Sequence, residues 1–193
     1  MRDPHDLPVI AFASKQLFER WLEAQDLAAA GLWLKIARKD SGLASITYQE
    51  ALDAALCFGW IDGQKGSFDD RYWLQRFTPR TPRGKWSQVN RRRATELIEL
   101  GQMRSGGLAE VERAMADGRW DTAYEASSAA TVPDDLQAAL DADAEAAAFF
   151  ATLDNRNRFA ILYRVGDAKK DATRRARIEK YVAMCREHRL IHP

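Results

Sequence analysis

The chain has 193 residues, of which 46% are hydrophobic and 30% are charged, and its formal net charge is +1. This length and composition predict a soluble globular protein with one domain, or one domain and an appended lobe. A net charge so near zero gives no whole-molecule attraction to nucleic acid or to an anionic membrane. No apolar run approaches the roughly 20 residues of a membrane-spanning helix, so no membrane span is predicted.

The N-terminus and the cysteines both favour a cytoplasmic protein. The first residues include acids and prolines without an apolar core, which is not typical of a secretory signal. Cys57 and Cys185 lie far apart, which favours two reduced thiols over a disulfide framework. Cys57 lies near a predicted helix C-terminus and one turn after Asp53, and both features disfavour a thiolate. We therefore interpret Cys57 as a packing residue rather than as a nucleophile.

The first forty residues predict an irregular or edge-strand leader, a helix and a strand. Ser14 has the position of a helix cap before the apolar side chains of 17–22. Residues 32–39 alternate as a strand does. One face of that strand carries Leu32, Leu34 and Ile36, and the other carries Trp33, Lys35 and Ala37.

A helix and a hairpin are predicted next. Thr47 and Glu50 have the spacing of a capping box, in which each side chain accepts from a main-chain N–H group at the helix start. Gly59 suits the left-handed residue that ends such a helix. An extended segment follows at once, residues 63–70 are predicted as the hairpin loop, and residues 71–78 as the returning strand.

The rest of the chain is predicted to be helical. One helix begins at Ser87 and ends at Gly101, and a shorter one follows it. A helix that starts after Pro133 is predicted to run through Phe150, and two more come after it. Residues 125–131 are rich in alanine and serine, and we interpret them as a hinge.

These elements predict an α+β fold, with a small antiparallel β-sheet packed by helices and then an α-helical C-terminal lobe. We place the α+β domain at residues 1–125 and the helical lobe at residues 126–193. No repeat of 20–50 residues is present, so a solenoid is not expected.

Several motifs of the chain are distinctive. They include Gly31-Leu32-Trp33-Leu34-Lys35, Phe58-Gly59-Trp60-Ile61-Asp62-Gly63, Gln75-Arg76-Phe77-Thr78-Pro79-Arg80, Gly118-Arg119-Trp120-Asp121 and Val132-Pro133-Asp134-Asp135-Leu136. Together they resemble the YdeI/OmpD-associated (OmdA-like) family. The resemblance extends over nearly the whole chain. It implies a bacteriocin- or antimicrobial-peptide-protection protein, and it brings no set of catalytic residues with it.

The central motifs also predict a ligand pocket on chemical grounds. Tyr72 and Arg76 would share one face of the returning strand, and Arg76 with Arg80 would form a fork for a carboxylate or phosphate. Trp60 and Trp86 would wall an apolar cleft. The candidate binding residues for a small anionic or peptide ligand are Trp33, Lys35, Trp60, Asp62, Gln64, Tyr72, Gln75, Arg76, Arg80 and Trp86.

A second interpretation of the same residues stays open. In it, Asp62 pairs with Arg76 or Arg80 to lock the hairpin, and the tryptophans belong to the core. The sequence contains no closely spaced cysteine–histidine pair, no HExxH and no phosphate loop. We therefore expect neither a metal nor another cofactor.

Nucleic acid is the rival class of ligand. Arg91, Arg92 and Arg93 lie on one predicted helix. Further basic residues crowd the last third of the chain: Arg156, Arg158, Arg164, Lys169, Lys170, Arg174, Arg175, Arg177 and Lys180. Acids interrupt that second cluster and no aromatic RNA-binding motif accompanies it, so we interpret both clusters as solvated surface.

Three hypotheses about function result. The leading one is a non-enzymatic, cytoplasmic stress-protection protein that binds a small anionic or peptide ligand. The second is an enzyme in which Asp62 acts as acid or base and Arg76 holds an anion. The third is nucleic-acid binding through the basic helices. The sequence indicates neither the oligomeric state nor the identity of the ligand.

Overall fold

A computed structural model describes residues 7–26, 28–125 and 130–192. The chain divides into two compact units, Met1–Ala123 and Tyr124–Pro193. Within the described ranges, the first unit contains β1 (Val9–Ala11), α1 (Lys15–Glu23), β2 (Leu32–Ala37), α2 (Tyr48–Cys57), β3 (Trp60–Ser67), β4 (Tyr72–Pro79), α3 (Gln88–Glu99) and α4 (Ser105–Ala116). The second unit contains α5 (Asp134–Asp141), α6 (Ala144–Thr152), α7 (Asn155–Gly166) and α8 (Asp171–Arg186).

The strands of the first unit form one mixed sheet in the order β1-β2-β4-β3. β4 pairs antiparallel with both β2 and β3, whereas β1 pairs parallel with β2. The predicted α+β class is therefore confirmed, but the sheet is not wholly antiparallel. The edge strand β1 is parallel to β2 because α1 carries the chain back along the sheet between them.

One face of the sheet, which we call the inner face, packs against α1 and α2. Leu32, Leu34 and Ile36 are buried on it, as their alternation predicts. Phe18 of α1 and Phe77 of β4 complete this core with their rings 5.7 Å apart. The opposite face, the outer face, carries Trp33 and Lys35.

Local signals place α2 where the sequence predicts it. The Thr47 N–H group donates to Glu50 Oε2 at 2.9 Å, and the Glu50 N–H group donates to Thr47 Oγ1 at 3.2 Å. This is the predicted capping box. Gly59 ends the helix with φ of +79°, a conformation in which a side chain is strained. The chain therefore reverses directly from α2 into β3.

A second core lies where α2 meets α3 and α4. It includes Leu56, Cys57, Trp86, Leu97 and Val111. The start of α4 lies so close to the end of α2 that a Cβ atom on Gly107 would be 2.3 Å from the Cys57 carbonyl oxygen. The two glycines at 106 and 107 therefore permit close backbone packing at the start of α4.

Two predicted boundaries are wrong. β3 continues to Ser67, so the hairpin loop is only 68–71 rather than 63–70. The helix predicted to run through Phe150 is two helices, because Asp143 interrupts it and caps α6 by accepting from the Ala146 N–H group at 3.1 Å. An aspartate side chain favours a cap over a helix interior because it competes for main-chain donors.

The second unit has a core of its own, drawn from all four helices. Leu136, Leu140, Phe150, Val165 and Tyr181 are buried in it. The predicted helical C-terminal part is thus confirmed. Most of the predicted hinge, residues 126–129, lies outside the described residues. Within the described ranges, none of the helices has both the length and the apolar character that crossing a membrane requires.

Candidate functional site

The structure does not bring Trp60 and Trp86 together in one cleft. Trp60 is 2% exposed in the core under the sheet, with its ring edge-on to Trp21 at 5.6 Å. Trp86 is 1% exposed in the second core, where its ring lies 4.9 Å from that of Trp120. The two indoles therefore serve as packing residues in separate cores, in agreement with the alternative interpretation of the sequence.

Arg80 is also part of the second core. Its guanidinium carbon lies 3.5 Å from the centre of the Trp86 ring, and Nη1 donates to the Lys85 carbonyl at 3.4 Å. Arg76, in contrast, lies half-buried on the outer face of the sheet. Arg80 therefore stacks on an indole instead of forming the predicted fork with Arg76.

Asp62 is held by α2 rather than by an arginine. Its Oδ2 atom accepts a hydrogen bond of 2.8 Å from the Tyr48 hydroxyl. Burial and the neighbouring Asp62 carboxylate raise the pKa of Tyr48 well above its ordinary value. Asp62 lies opposite Phe77 on the inner face, so Arg76, the next residue along β4, points to the other side of the sheet. The acid and the anion anchor of the enzyme hypothesis therefore do not converge.

Gln75 has a structural task that the sequence did not reveal. Its side chain is buried, and Nε2 donates to the carbonyls of Gly63 at 2.9 Å and of Gln64 at 3.2 Å. These carbonyls belong to a β-bulge between Asp62 and Lys65. Gln75 therefore satisfies main-chain acceptors that the bulge removes from the ladder, while the Gln64 side chain is exposed.

The other predicted residues gather on the outer face of the sheet. Trp33 lies directly opposite Arg76, and Lys35 is on the same strand and face as Trp33. The Lys35 ammonium lies 4.3 Å from the centre of the Tyr72 ring and 4.1 Å from that of Phe68. Among the described residues, these side chains belong to none of the three cores. A binding role for them stays a prediction.

A groove of about 500 Å³ opens at the hairpin end of the sheet. Its lining consists of Arg38, Lys39, Lys65, Gly66, Ser67 and Trp73. The Lys65 ammonium lies 4.4 Å from the centre of the Trp73 ring, at a distance typical of a cation–π contact. The six described lining residues thus combine an indole with three cations, with no acid among them.

The position of this groove follows from the extent of the helix layer. α2 begins at Tyr48, whose ring lies 6.1 Å from that of Trp73 on the inner face. Beyond Tyr48, the last residues of β3 and the first residues of β4 extend past the helix. Lys65 and Ser67 therefore remain exposed. The sequence does not indicate the groove, because the glycines at 63 and 66 are typical of a loop and obscure the alternation of a strand.

The hairpin tip beside the groove is ordered by Asp69. Its Oδ1 atom accepts from the N–H groups of Arg71 at 2.8 Å and Tyr72 at 2.7 Å, while its carbonyl accepts from Arg38 Nε at 3.2 Å. This acid is therefore engaged in the turn. The hydrogen bond to the Asp69 carbonyl holds the Arg38 guanidinium at the rim of the groove.

Several arginines of the protein are engaged by hydrogen bonds or ion pairs. Arg93 donates to both oxygens of Asp53 at 2.7 Å, and Arg91 Nη1 donates to the Trp120 carbonyl at 3.0 Å. In the second unit, Arg174 pairs with Asp135 and Arg186 pairs with Asp143. Those four arginines therefore contribute less to an anion-binding surface than their number in the sequence indicates.

The thiols and the possible metal ligands add no reactive centre. Cys57 and Cys185 are both buried, and burial raises the pKa of each thiol. This agrees with the interpretation of Cys57 as a packing residue. Among the described residues, no three histidine, cysteine or acidic side chains are grouped as metal ligands are.

The fold and the groove together define an α+β protein with a helical second unit and a basic, aromatic groove at the end of its sheet. The chain belongs to the family described as a domain of unknown function (DUF8412), whose model matches residues 10–110. Residues 129–188 match the family described as "Bacteriocin-protection, YdeI or OmpD-Associated" (OmdA). No curated protein and no solved structure matches the chain.

These matches confirm the OmdA-like resemblance and locate it. The OmdA match covers the helical second unit, whereas the motif at 58–63 falls within the range of the other family. The OmdA description suggests a bacteriocin-protection-type function for the chain. The groove lies in the part that matches the domain of unknown function.

Proposed function

We propose that this protein is a non-enzymatic binding protein of the bacteriocin-protection type, and that it takes an anionic ligand into the groove beside Trp73. The observation that carries this proposal is the lining, in which Arg38, Lys39 and Lys65 surround one indole. A volume of about 500 Å³ is within the range of small-molecule sites.

The charges of the groove favour a ligand with carboxylate or phosphate groups. Arg38 and Lys39 follow β2, while Lys65 reaches the groove from β3, so the cations approach from two sides. The Trp73 ring offers an apolar surface between them. Hydrogen bonds from cations to an anion are shorter and stronger than neutral ones, and the ring excludes water from one side.

A binding role is supported over catalysis by what surrounds the reactive side chains. Asp62 is engaged by Tyr48, and Arg76 points to the other face of the sheet. The thiol of Cys57 is buried in the second core. We place the protein in the cytoplasm, which the two buried free thiols support because such thiols persist in a reducing compartment.

Titration calorimetry with citrate as a small anionic probe tests this proposal. Lys65→Ala should weaken binding by about tenfold, since a hydrogen bond to a charged group contributes about 1.5 kcal/mol or more. Lys169→Ala removes an exposed lysine of the second unit and should leave binding unchanged. Equal affinities for the two variants, or no binding by the unchanged protein, would overturn the proposal.

A further inference from the structure

The outer edge of β3 borders the groove, and some of its main-chain N–H and C=O groups point away from the sheet. β3 is an edge strand, and its last three residues, Lys65 to Ser67, also line the groove. In an antiparallel pair, opposite residues alternate between hydrogen-bonded and non-bonded pairs. The register therefore determines which main-chain groups of β3 point toward β4 and which point away.

The alternation can be read from β2 through β4. The Arg38 N–H group donates to the Arg71 carbonyl at 2.8 Å, so every second residue from Arg71, including Trp73, directs its main chain toward β2. Leu74 then directs its main chain toward β3, where Gly66 lies opposite it. Lys65 and Ser67 therefore direct their N–H and C=O groups away from β4, and both residues are exposed.

The side chains along this edge differ between the two faces of the sheet. On the inner face, Lys65 and Trp73 belong to the basic groove. On the outer face, Gly66 leaves a shallow space in which an added Cβ atom would meet Leu74 at 3.6 Å and Trp33 at 3.7 Å. A strand placed along β3 would alternate between the two environments, one cationic and one apolar.

We infer that the anionic ligand of the groove is an extended peptide segment, with acidic and apolar residues in alternation, that adds as a strand to the outer edge of β3. This inference rests on the proposed function and names its ligand. The acidic side chains lie in the groove near Lys65, and the apolar ones lie over Gly66, Leu74 and Trp33. Main-chain hydrogen bonds supply affinity, and the two faces supply specificity.

The bulge limits the length of the added strand. Gly63 and Gln64 interrupt the regular spacing of β3, and both are exposed. Bulges and lysines on edge strands are devices that restrict uncontrolled pairing. The available edge therefore begins after the bulge, at Lys65, and the charge of that lysine selects an acidic partner.

Fluorescence anisotropy with a labelled short peptide of alternating glutamate and valine tests the inference. Two derivatives carry N-methyl groups, one on the glutamate amides and one on the valine amides. In an added strand, only the glutamate or only the valine N–H groups point toward β3 and donate hydrogen bonds to it. One derivative should therefore lose binding by about tenfold or more, while the other retains it. Equal binding by both derivatives, or equal loss by both, would overturn strand addition.

Two protein variants test strand addition by changing β3 instead of the peptide. Ser67→Pro removes a main-chain N–H group that points away from β4, so the hairpin should remain folded while the peptide loses affinity. Ser67→Ala keeps that N–H group and removes only the hydroxyl, so it should bind the peptide more tightly than Ser67→Pro does. Circular dichroism and the melting temperature check that both variants are folded. Normal peptide binding by a folded Ser67→Pro protein would contradict the inference.

The results also separate this inference from the proposed function. If citrate binds and depends on Lys65, but the methylated peptides bind alike, the groove is an anion site and strand addition is wrong. If neither citrate nor any acidic peptide binds, both proposals are wrong. A peptide of alternating lysine and valine should not bind in any case, because Lys65 repels it.

Discussion

The buried amide of Gln75 donates a hydrogen bond of 2.9 Å to the carbonyl of Gly63, within the bulge of β3. The bulge inserts one extra residue, which moves every later side chain of the strand to the opposite face. Without it, Lys65 would lie on the outer face. With it, Lys65 lies over Trp73 and the groove is formed.

Replacement of Gln75 should therefore affect both stability and binding. Gln75→Leu leaves the carbonyls of Gly63 and Gln64 without their buried donor, which should lower the free energy of unfolding by about 1–3 kcal/mol. Citrate binding should weaken as the bulge loses its geometry. Urea denaturation and calorimetry measure the two effects.

The matched control is Gln64→Ala, which keeps the main-chain carbonyl and removes only an exposed side chain. Its free energy of unfolding should stay within about 0.5 kcal/mol of the unchanged protein. If the Gln75→Leu protein proves as stable as this control, the bulge does not depend on the buried amide.

Trp60→Ala should destabilise the protein rather than remove a ligand contact. Trp60 is buried among Phe18, Leu34 and Phe77, so its truncation leaves a large cavity. The expected loss is about 3–5 kcal/mol in the free energy of unfolding, measured in urea. A variant with unchanged stability that had lost only ligand binding would contradict this packing role and would indicate that Trp60 contacts the ligand.

The capping box at the start of α2 gives a third prediction. Thr47→Ala removes the oxygen that accepts from the Glu50 N–H group and should cost about 1 kcal/mol of stability. Thr95→Ala is the control, because the Thr95 hydroxyl bonds back to the Arg91 carbonyl within α3 and contributes little. Comparable losses for the two variants would argue against the cap as the cause.

The pair of Asp53 and Arg93 predicts a dependence of stability on pH. Burial alone would raise the pKa of Asp53, but hydrogen bonds from Arg93 and Gln49 and the charge of Arg93 outweigh it and hold that pKa below its ordinary value. A carboxyl group with a lowered folded-state pKa stabilises the protein above its unfolded-state pKa. That contribution is lost as the pH falls through the folded-state pKa.

Asp53→Asn should remove this part of the acid sensitivity. The variant should be about 2 kcal/mol less stable at neutral pH, because Arg93 loses its charged acceptor. Its stability should then fall less than that of the unchanged protein as the pH is lowered below the ordinary aspartate pKa. Parallel curves of unfolding free energy against pH would show that the pair contributes nothing to acid stability.

The features that the sequence predicts correctly, namely helix boundaries and the buried face of β2, depend on local interactions. Ser14, Thr47 and Gly59 act within a few residues of themselves, so their helix boundaries agree with the structure. The alternation of Leu32, Leu34 and Ile36 identified the buried face of β2 for the same reason. The caps and the alternation both act between residues that are close in the sequence, so the sequence alone is enough to predict them.

What the sequence missed depends on distant contacts. Whether Trp60 and Trp86 share a cleft is decided by which helices pack on each indole, and spacing along the chain contains no such information. The bulge needs Gln75, a residue of the next strand, to satisfy it. A pattern with two glycines around Gln64 therefore reads as a loop until its partner strand is known.

The most direct measurement of the central claim is a titration of the 15N-labelled protein with citrate, followed by two-dimensional NMR. We predict that chemical-shift changes concentrate at Arg38, Lys39, Lys65, Ser67 and the Trp73 indole, and that added salt suppresses them. Changes confined to other residues, or a spectrum unaltered by citrate at low salt, would contradict an anion-binding groove.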